Sequence, residues 1–226
     1  MEKNLVKTAL PCSFSIMFLL VLPAWAGDTG KDVETLKNAA TVLEAMIDSK
    51  SVPADVLAKA NCILVLPNVK KVGFGVGGSG GRGPLTCRGG KDFKGKWSAP
   101  AMYSVGGVSA GFQVGVSSSD FVLLLMDEKG VSAIMRGKTK LGKDATAAAG
   151  PGATAQAVTG DIYTYGRAKG LFAGVSLGSA SIDPDTDANA RLYGKPMGAT
   201  EIIEGGAKPP AGAEPLIELL NSKAGQ

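Results

Sequence analysis

The sequence contains no histidine among its 226 residues. Histidine is the commonest acid–base group in catalysis near neutral pH and the commonest metal ligand. Its absence excludes Ser-His-Asp and Cys-His catalytic groups and most zinc sites. No pair of carboxylates has a spacing typical of hydrolysis either. We therefore predict a chain that is not an enzyme, and one that holds no metal and no cofactor.

Long apolar runs are scarce, and the longest lies at the N-terminus. Lys3 and Lys7 precede an apolar run over about residues 9–22, which is followed by Ala24-Trp25-Ala26. A positive start, a short apolar run and small residues at its end are typical of a secretory signal peptide. The alternative, an uncut anchor, is less favoured because about 20 apolar residues are needed to cross a bilayer. We predict a leader over 1–26 and a single domain over 27–226 that is periplasmic or secreted, with peripheral membrane association.

Cysteine is also rare, with three residues in the chain. Cys12 lies in the predicted leader. Cys62 and Cys87 would remain, and in an oxidising compartment they could form a disulfide. Their spacing does not decide whether they pair.

A glycine-rich stretch contains G-x-G-x-x-G at Gly75, Gly77 and Gly80. A dinucleotide-binding turn needs a helix that begins directly after the last glycine. The residues that follow oppose a helix, because they include Gly81, Gly83 and Pro84. We therefore predict that the chain binds no nucleotide, and we expect no nucleic acid partner.

Positive charge is concentrated in the same region. Seven cations lie between residues 70 and 96, and Asp92 alone opposes them: Lys70, Lys71, Arg82, Arg88, Lys91, Lys94 and Lys96. The rest of the mature chain is net acidic. This segregation favours a surface that attracts anions, such as lipid headgroups. The alternative is a solvated charged hairpin without a ligand.

The periodicity of apolar residues predicts an α+β fold. Residues 31–49 have the spacing of an amphipathic helix, which could dock on the core or lie on a membrane, and docking is favoured. A short helix at 53–59 precedes a strand at 62–66 that is expected to end at Pro67. Further strands are predicted at 71–78, 83–88, 97–105, 110–118, 120–126, 161–167 and 171–178, with helices at 127–135 and beyond Lys195. The expected architecture is a mostly antiparallel, glycine-rich sheet or partial barrel, flanked by helices near both termini.

Nine short motifs, in order, resemble the SYLF-domain family over about residues 32–203. They include Gly80-Gly-Arg-Gly83, Leu85-Thr-Cys-Arg88, Trp97-Ser-Ala-Pro100, Gly111-Phe-Gln-Val-Gly115, Ile162-Tyr-Thr-Tyr-Gly166 and Asn189-Ala-Arg-Leu-Tyr-Gly194. The resemblance implies binding instead of catalysis, since eukaryotic members bind phosphoinositide-rich membranes and some bind actin. Secreted bacterial members are described as lipid-binding.

The resemblance also implies which residues contact lipid. Membrane binding in the family is attributed to an N-terminal amphipathic segment and to basic residues. With the charge cluster, this implies the candidates Lys31, Lys37, Arg82, Arg88, Lys91, Phe93, Lys94 and Lys96. We expect phospholipids or an anionic membrane as partner, and we expect actin to be an unlikely partner of a secreted bacterial protein. The alternative is an envelope protein-interaction module without a specific lipid ligand.

Overall fold

The computed structural model describes residues 26–74, 76–110, 115–137, 139–140, 146–147, 154–159, 162–169, 175–176 and 180–224. The helices are α1 (Ala26–Asp48), α2 (Ala54–Ala58), α3 (Glu128–Arg136), α4 (Thr186–Tyr193), α5 (Ala199–Glu204) and α6 (Glu214–Lys223). The strands are β1 (Cys62–Phe74), β2 (Val76–Cys87), β3 (Ala101–Ala110), β4 (Gly115–Leu125), β5 (Thr139–Lys140), β6 (Thr146–Ala147), β7 (Thr154–Thr159), β8 (Ile162–Lys169), β9 (Val175–Ser176) and β10 (Ser181–Pro184). The predicted leader before Ala26 lies outside the described residues, as do the strand residues predicted at 75, 111–114, 161, 171–174 and 177–178.

Eight of the described strands form one antiparallel sheet in the order β5-β10-β3-β2-β1-β4-β8-β7. Its two outer strands, β5 and β7, do not pair with each other in the described part of the chain, so the sheet is open. The central strands are apolar on both sides, with Ile63–Leu66 and Phe121–Leu125 buried. Strands of this kind are continuous apolar runs because helices cover both faces. The predicted α+β class with a mostly antiparallel sheet is confirmed.

Helices α1, α2 and α6 cover one face of the sheet. Leu36, Leu43 and Met46 of α1 are fully buried, and α1 and α6 together pack against Val65 and Val122. The other face is covered by α3 and α5, which pack on a second apolar cluster. The docking of the N-terminal helix is therefore confirmed, since its apolar stripe faces the core.

A bulge carries β1 past the point where a strand end is expected. The register of β1 against β4 shifts between Leu66 and Val69, and Asn68 adopts a φ of 54°. Pro67 has no N–H for the ladder, and a bulge accommodates such a residue. The prediction that the strand ends at Pro67 is wrong, because β1 continues to Phe74.

The glycine-rich stretch forms strand and not a phosphate-binding turn. Gly77 and Gly80 both lie within β2, and no helix follows them. Gly75 is outside the described residues. A Cβ on Gly83 would collide with the carbonyl oxygen of Val65 in β1, so close backbone approach explains this glycine. The expectation that no helix begins directly after Gly80 is confirmed.

Cys62 and Cys87 form a disulfide. They lie directly opposite each other at the first residue of β1 and the last residue of β2. The disulfide that the sequence does not decide is therefore present, and it links the start of β1 to the end of β2.

Candidate functional site

The basic hairpin, residues 88–97, connects β2 to β3. An isolated bridge between Arg88 and Trp97 closes its base, and a 3₁₀ turn spans Lys91–Phe93. Lys91, Lys94 and Lys96 are exposed, as is Asp92. The hairpin therefore presents three cationic side chains and one acidic side chain to solvent.

Arg88 is buried beneath the base of the hairpin and stabilises it. Its side chain is only 7% exposed, and its guanidinium donates to the carbonyl oxygens of Ala58, Ala60 and Ala224. It also lies 4.6 Å from the centre of the Trp97 ring, which is typical of a cation–π contact. Burial lowers the pKa of Arg88. Because the guanidinium is turned inward, Arg88 is not one of the surface cations of the hairpin.

The backbone of the hairpin is held in an unusual conformation. Gly90, Asp92 and Phe93 have φ values of 78°, 58° and 55°. A positive φ is rare for a bulky residue such as phenylalanine, and such outliers cluster at functional sites. Backbone hydrogen bonds from Gly89 to Lys96 and from Gly95 to Gly89, of 2.8 and 2.7 Å, hold the loop. Phe93 is thereby turned toward the core, while the lysines around it remain exposed.

Phe93 lines a groove of about 1090 Å³ between the hairpin, α3 and α5. The apolar part of the lining consists of Phe93, Val131, Ala133 and Met135. The polar part is mixed in charge, with Asp127, Glu128, Lys129, Ser132, Arg136, Thr200 and Glu204. Asp127 caps α3 by accepting a hydrogen bond of 2.7 Å from the Gly130 backbone N–H. The lysine-rich hairpin therefore stands beside an open groove whose lining is partly apolar and partly charged.

The remaining candidates lie elsewhere. Lys31 and Lys37 are exposed on α1, and Lys31 pairs with Asp28 at 3.1 Å. Arg82 lies in β2 and pairs with Asp32 at 3.0 Å. Six residues of strand separate Arg82 from Arg88, or about 20 Å. The structure thus brings Lys91, Phe93, Lys94 and Lys96 together and leaves Lys31, Lys37 and Arg82 apart from them.

Two features of the structure, one in the groove and one outside it, were not found from the sequence. The groove residues of α3 and α5 come from distant segments, and only the fold places them beside the hairpin. Helix α4 was also missed, although Asp185 has the character of an N-cap and accepts from the Ala188 backbone N–H at 3.0 Å.

Among the described residues, no cluster of three or more histidine, cysteine or carboxylate side chains is suited to a metal ion.

No helix in the described ranges combines the length and the apolar character that a membrane crossing requires.

The fold and the hairpin define an α+β domain in which a lysine-rich loop borders an open groove. A family model described as "Ysc84: Las17-binding protein actin regulator" matches residues 106–223. The chain belongs to this Ysc84 family, which confirms the resemblance to SYLF-domain proteins. No solved structure matches the chain.

Relatives from animals and yeast are identical to the chain at about a third of the aligned positions. SH3 domain-containing YSC84-like protein 1 of Rattus norvegicus is 34% identical over 200 residues, covering 82% of this chain and 58% of the relative. The same protein of Homo sapiens is 34% identical, with 57% of its length covered. Protein YSC84 of Saccharomyces cerevisiae is 35% identical over 204 residues, covering 83% of this chain and 43% of the relative. The chain thus spans about half the length of these relatives.

The comparisons correct one expectation. We expected actin to be an unlikely partner because we placed the chain in a secreted bacterial setting. The description of the family names an actin regulator, so this expectation is wrong. The relatives named above are eukaryotic, and the bacterial origin of this chain stays a prediction.

Proposed function

We propose that the chain is a non-catalytic module that binds anionic phospholipid surfaces through the basic hairpin. The observation that carries the proposal is the group of three exposed lysines around a partly buried Phe93 at the rim of the groove. Each lysine near an anionic bilayer surface contributes about 1 kcal/mol of attraction. Three of them on one rigid loop make a contact that salt would weaken.

The groove supplies the apolar part of the proposed contact. Phe93, Val131 and Met135 offer apolar atoms within reach of a lipid whose phosphate is held by the lysines. Arg88 and the disulfide next to it hold the loop in place, so little ordering is needed on binding. Shape, charge and rigidity of the hairpin all support the proposal.

Charge reversal of the hairpin tests the proposal. Lys91→Glu/Lys94→Glu/Lys96→Glu should reduce co-sedimentation with vesicles of phosphatidylcholine and phosphatidylserine at least tenfold. The matched control is Lys50→Glu/Lys195→Glu/Lys208→Glu, which changes three exposed lysines outside the lipid-binding candidates by the same net charge. We expect the control to bind within twofold of wild type, and raised salt to weaken wild-type binding. If the two variants lost vesicle binding equally, net charge alone would explain the loss, which would contradict a binding site at the hairpin.

The second candidate is a role in actin regulation, which the family description favours. Las17 or an actin filament would be the partner. Co-sedimentation with filamentous actin and pull-down with Las17 test this role directly. Binding there without binding to vesicles would replace the lipid proposal.

We further propose that residues 1–26 are removed and that residues 27–226 act as one domain outside the cytoplasm. The disulfide between Cys62 and Cys87 supports this location, because such bonds persist in oxidising compartments. Mass spectrometry of the chain expressed in a bacterium should find an N-terminus at Gly27 in the periplasmic fraction. An intact Met1 in the cytoplasmic fraction would contradict the proposal.

A further inference from the structure

Three exposed valines stand at the end of the sheet opposite the basic hairpin. Val72, Val108 and Val116 are 53%, 85% and 64% exposed. They lie on β1, β3 and β4, near the ends of those strands. Apolar side chains exposed singly need no explanation, but a contiguous set marks a contact surface.

The strand register places the three valines in one line. Val108 lies opposite Gly78 of β2, Gly78 lies opposite Val72, and Val72 lies opposite Val116. Residues directly opposite each other in antiparallel strands project to the same face. The valines therefore form a row across four strands, about 14 Å long. We call Val72, Val108, Val116 and Gly78 the valine row.

Glycine keeps the valine row open in its middle. A Cβ at Gly78 would meet no atom nearer than the Gly107 carbonyl oxygen, at 3.9 Å. Packing within the chain therefore does not demand glycine at this position. Its effect is a shallow surface between Val108 and Val72, accessible from one end of the row to the other.

Lysines border the valine row on its inner side. Lys70 lies two residues before Val72, on the same face, and is exposed. Lys169 of β8 is also exposed and lies in the same cross-strand line as Lys70, through Ser118, whereas Lys71 projects to the opposite face of the sheet. Lys169 pairs at 2.7 Å with Asp120, which also pairs with Arg167. Asp120, the carboxylate beside these lysines, is thus buried between Lys169 and Arg167. The exposed charge along this side of the valine row is therefore positive.

The valine row and the basic hairpin lie at opposite ends of β2. Gly78 and Cys87 are nine residues apart in the same strand, which corresponds to about 30 Å. A flat bilayer in contact with one of these surfaces would leave the other facing away from it.

We propose that the valine row is a second membrane-contact surface and that one chain bridges two anionic bilayers. The valines would enter the interfacial region of the second bilayer while Lys70 and Lys169 contact its headgroups. A second copy of the chain fits less well, because pairing two such rows would bring their lysines together. The inference rests on the proposed lipid binding by the basic hairpin.

Vesicle clustering tests the bridge separately from binding. The row variant is Val72→Thr/Val108→Thr/Val116→Thr, which keeps side-chain shape and strand propensity. It is compared with wild type, with the hairpin variant Lys91→Glu/Lys94→Glu/Lys96→Glu, and with the two combined. Co-sedimentation measures binding to vesicles that contain phosphatidylserine, and dynamic light scattering measures their clustering.

We expect wild type to bind and cluster vesicles. The row variant should bind within threefold of wild type but cluster vesicles at least tenfold less, and the combined variant should neither bind nor cluster. Wild type that binds without clustering, or a row variant that clusters normally, would overturn the bridge and leave the hairpin proposal standing. Wild type that does not bind would overturn the hairpin proposal itself. A wild-type dimer that the row variant dissociates would identify a second copy as the occupant and overturn the bridge.

Discussion

At the scale of single residues, two buried carboxylates join distant parts of the chain. Asp32 of α1 is fully buried and pairs with Arg82 of β2 and Arg191 of α4, at 3.0 and 2.7 Å. The hydrogen bond to Asp32 raises the pKa of Arg191. Asp120 is equally buried and accepts from the backbone N–H of Asn68 at the bulge. Asp120 thus stabilises the bulge of β1, whereas Asp32 links α1 to β2 and α4.

Removing the charge of Asp32 should destabilise the protein. Breaking a buried ion pair by removing one partner leaves the others without compensation and costs about 3 kcal/mol. We therefore expect Asp32→Asn to lower the free energy of unfolding by about that amount, measured by urea denaturation. Asp28→Asn is the matched control, because Asp28 is an exposed carboxylate of the same helix that pairs with Lys31. Similar losses in both variants would contradict a special role for the buried pair.

Two tyrosines, the buried Tyr103 and the half-buried Tyr193, should respond to loss of the hydroxyl with opposite signs. The Tyr103 hydroxyl is buried without a hydrogen-bond partner among the described residues, whereas the Tyr193 hydroxyl donates to the Pro100 carbonyl oxygen at 2.7 Å. Tyr103→Phe should raise the free energy of unfolding by about 1 kcal/mol, and Tyr193→Phe should lower it by about 1 kcal/mol. Urea denaturation at neutral pH measures both. A loss of stability in Tyr103→Phe would show that this hydroxyl has a partner.

The same tyrosines predict alkaline sensitivity. Burial raises the pKa of both Tyr103 and Tyr193 above the ordinary value of 10.0. The unfolded chain therefore releases these protons first, so stability is full below about pH 10 and falls as the pH rises above it. The double variant Tyr103→Phe/Tyr193→Phe should lose less stability than wild type between pH 9 and pH 11. If the free energy of unfolding fell equally with pH in wild type and in the double variant, other groups would be responsible for the loss of stability at alkaline pH.

At the scale of secondary-structure elements, helices were predicted better than strand boundaries. Residues 31–49 and 127–135 have clear helical periodicity, and α1 and α3 occupy nearly these ranges. Strands were divided at glycines and at Pro67, since such residues weaken a local strand signal. In the fold, the neighbouring strands hold these residues in the ladder. The residues predicted as one strand at 71–78 instead belong to two paired strands, the end of β1 and the start of β2.

Gly83 offers a test of why the β2 strand is rich in glycine. Gly83→Ala would place a Cβ against the Val65 carbonyl oxygen, and the backbone of β1 would have to shift. Overpacking of this kind should lower the free energy of unfolding by about 3 kcal/mol, measured by thermal or urea denaturation. Gly106→Ala is the matched control in β3, where a Cβ would meet no atom within 4 Å. A stable Gly83→Ala protein would show that close approach does not require glycine there.

At the scale of the whole molecule, the site was predicted in part. The cation cluster of the sequence separates in the fold into three groups, at Lys70 and Lys71, at Arg82, and at the basic hairpin. Linear charge counting cannot separate them, because β1, β2 and the loop after it place neighbouring cations at opposite ends of the sheet. The burial of Arg88 also depends on α2 and on Ala224 at the far end of the chain, which no local pattern reveals. The motifs identified the family and the periodicity predicted the fold class, but neither revealed the groove beside Phe93.

The disulfide should contribute to the stability of the whole domain, because it constrains the unfolded chain. Cys62 and Cys87 are 25 residues apart in sequence, and closing a loop of this size stabilises a protein by about 3 kcal/mol. In residues 27–226, Cys62→Ala/Cys87→Ala should lower the free energy of unfolding by that amount. Adding a phosphine reductant should destabilise wild type to a similar extent and leave the double variant unchanged. Since the bond lies at the base of the basic hairpin, the double variant should also bind vesicles more weakly, with its folded state verified by circular dichroism. Two free thiols in unfolded, unreduced wild type would show that the bond does not form, and an unchanged vesicle affinity would show that the hairpin keeps its shape without it.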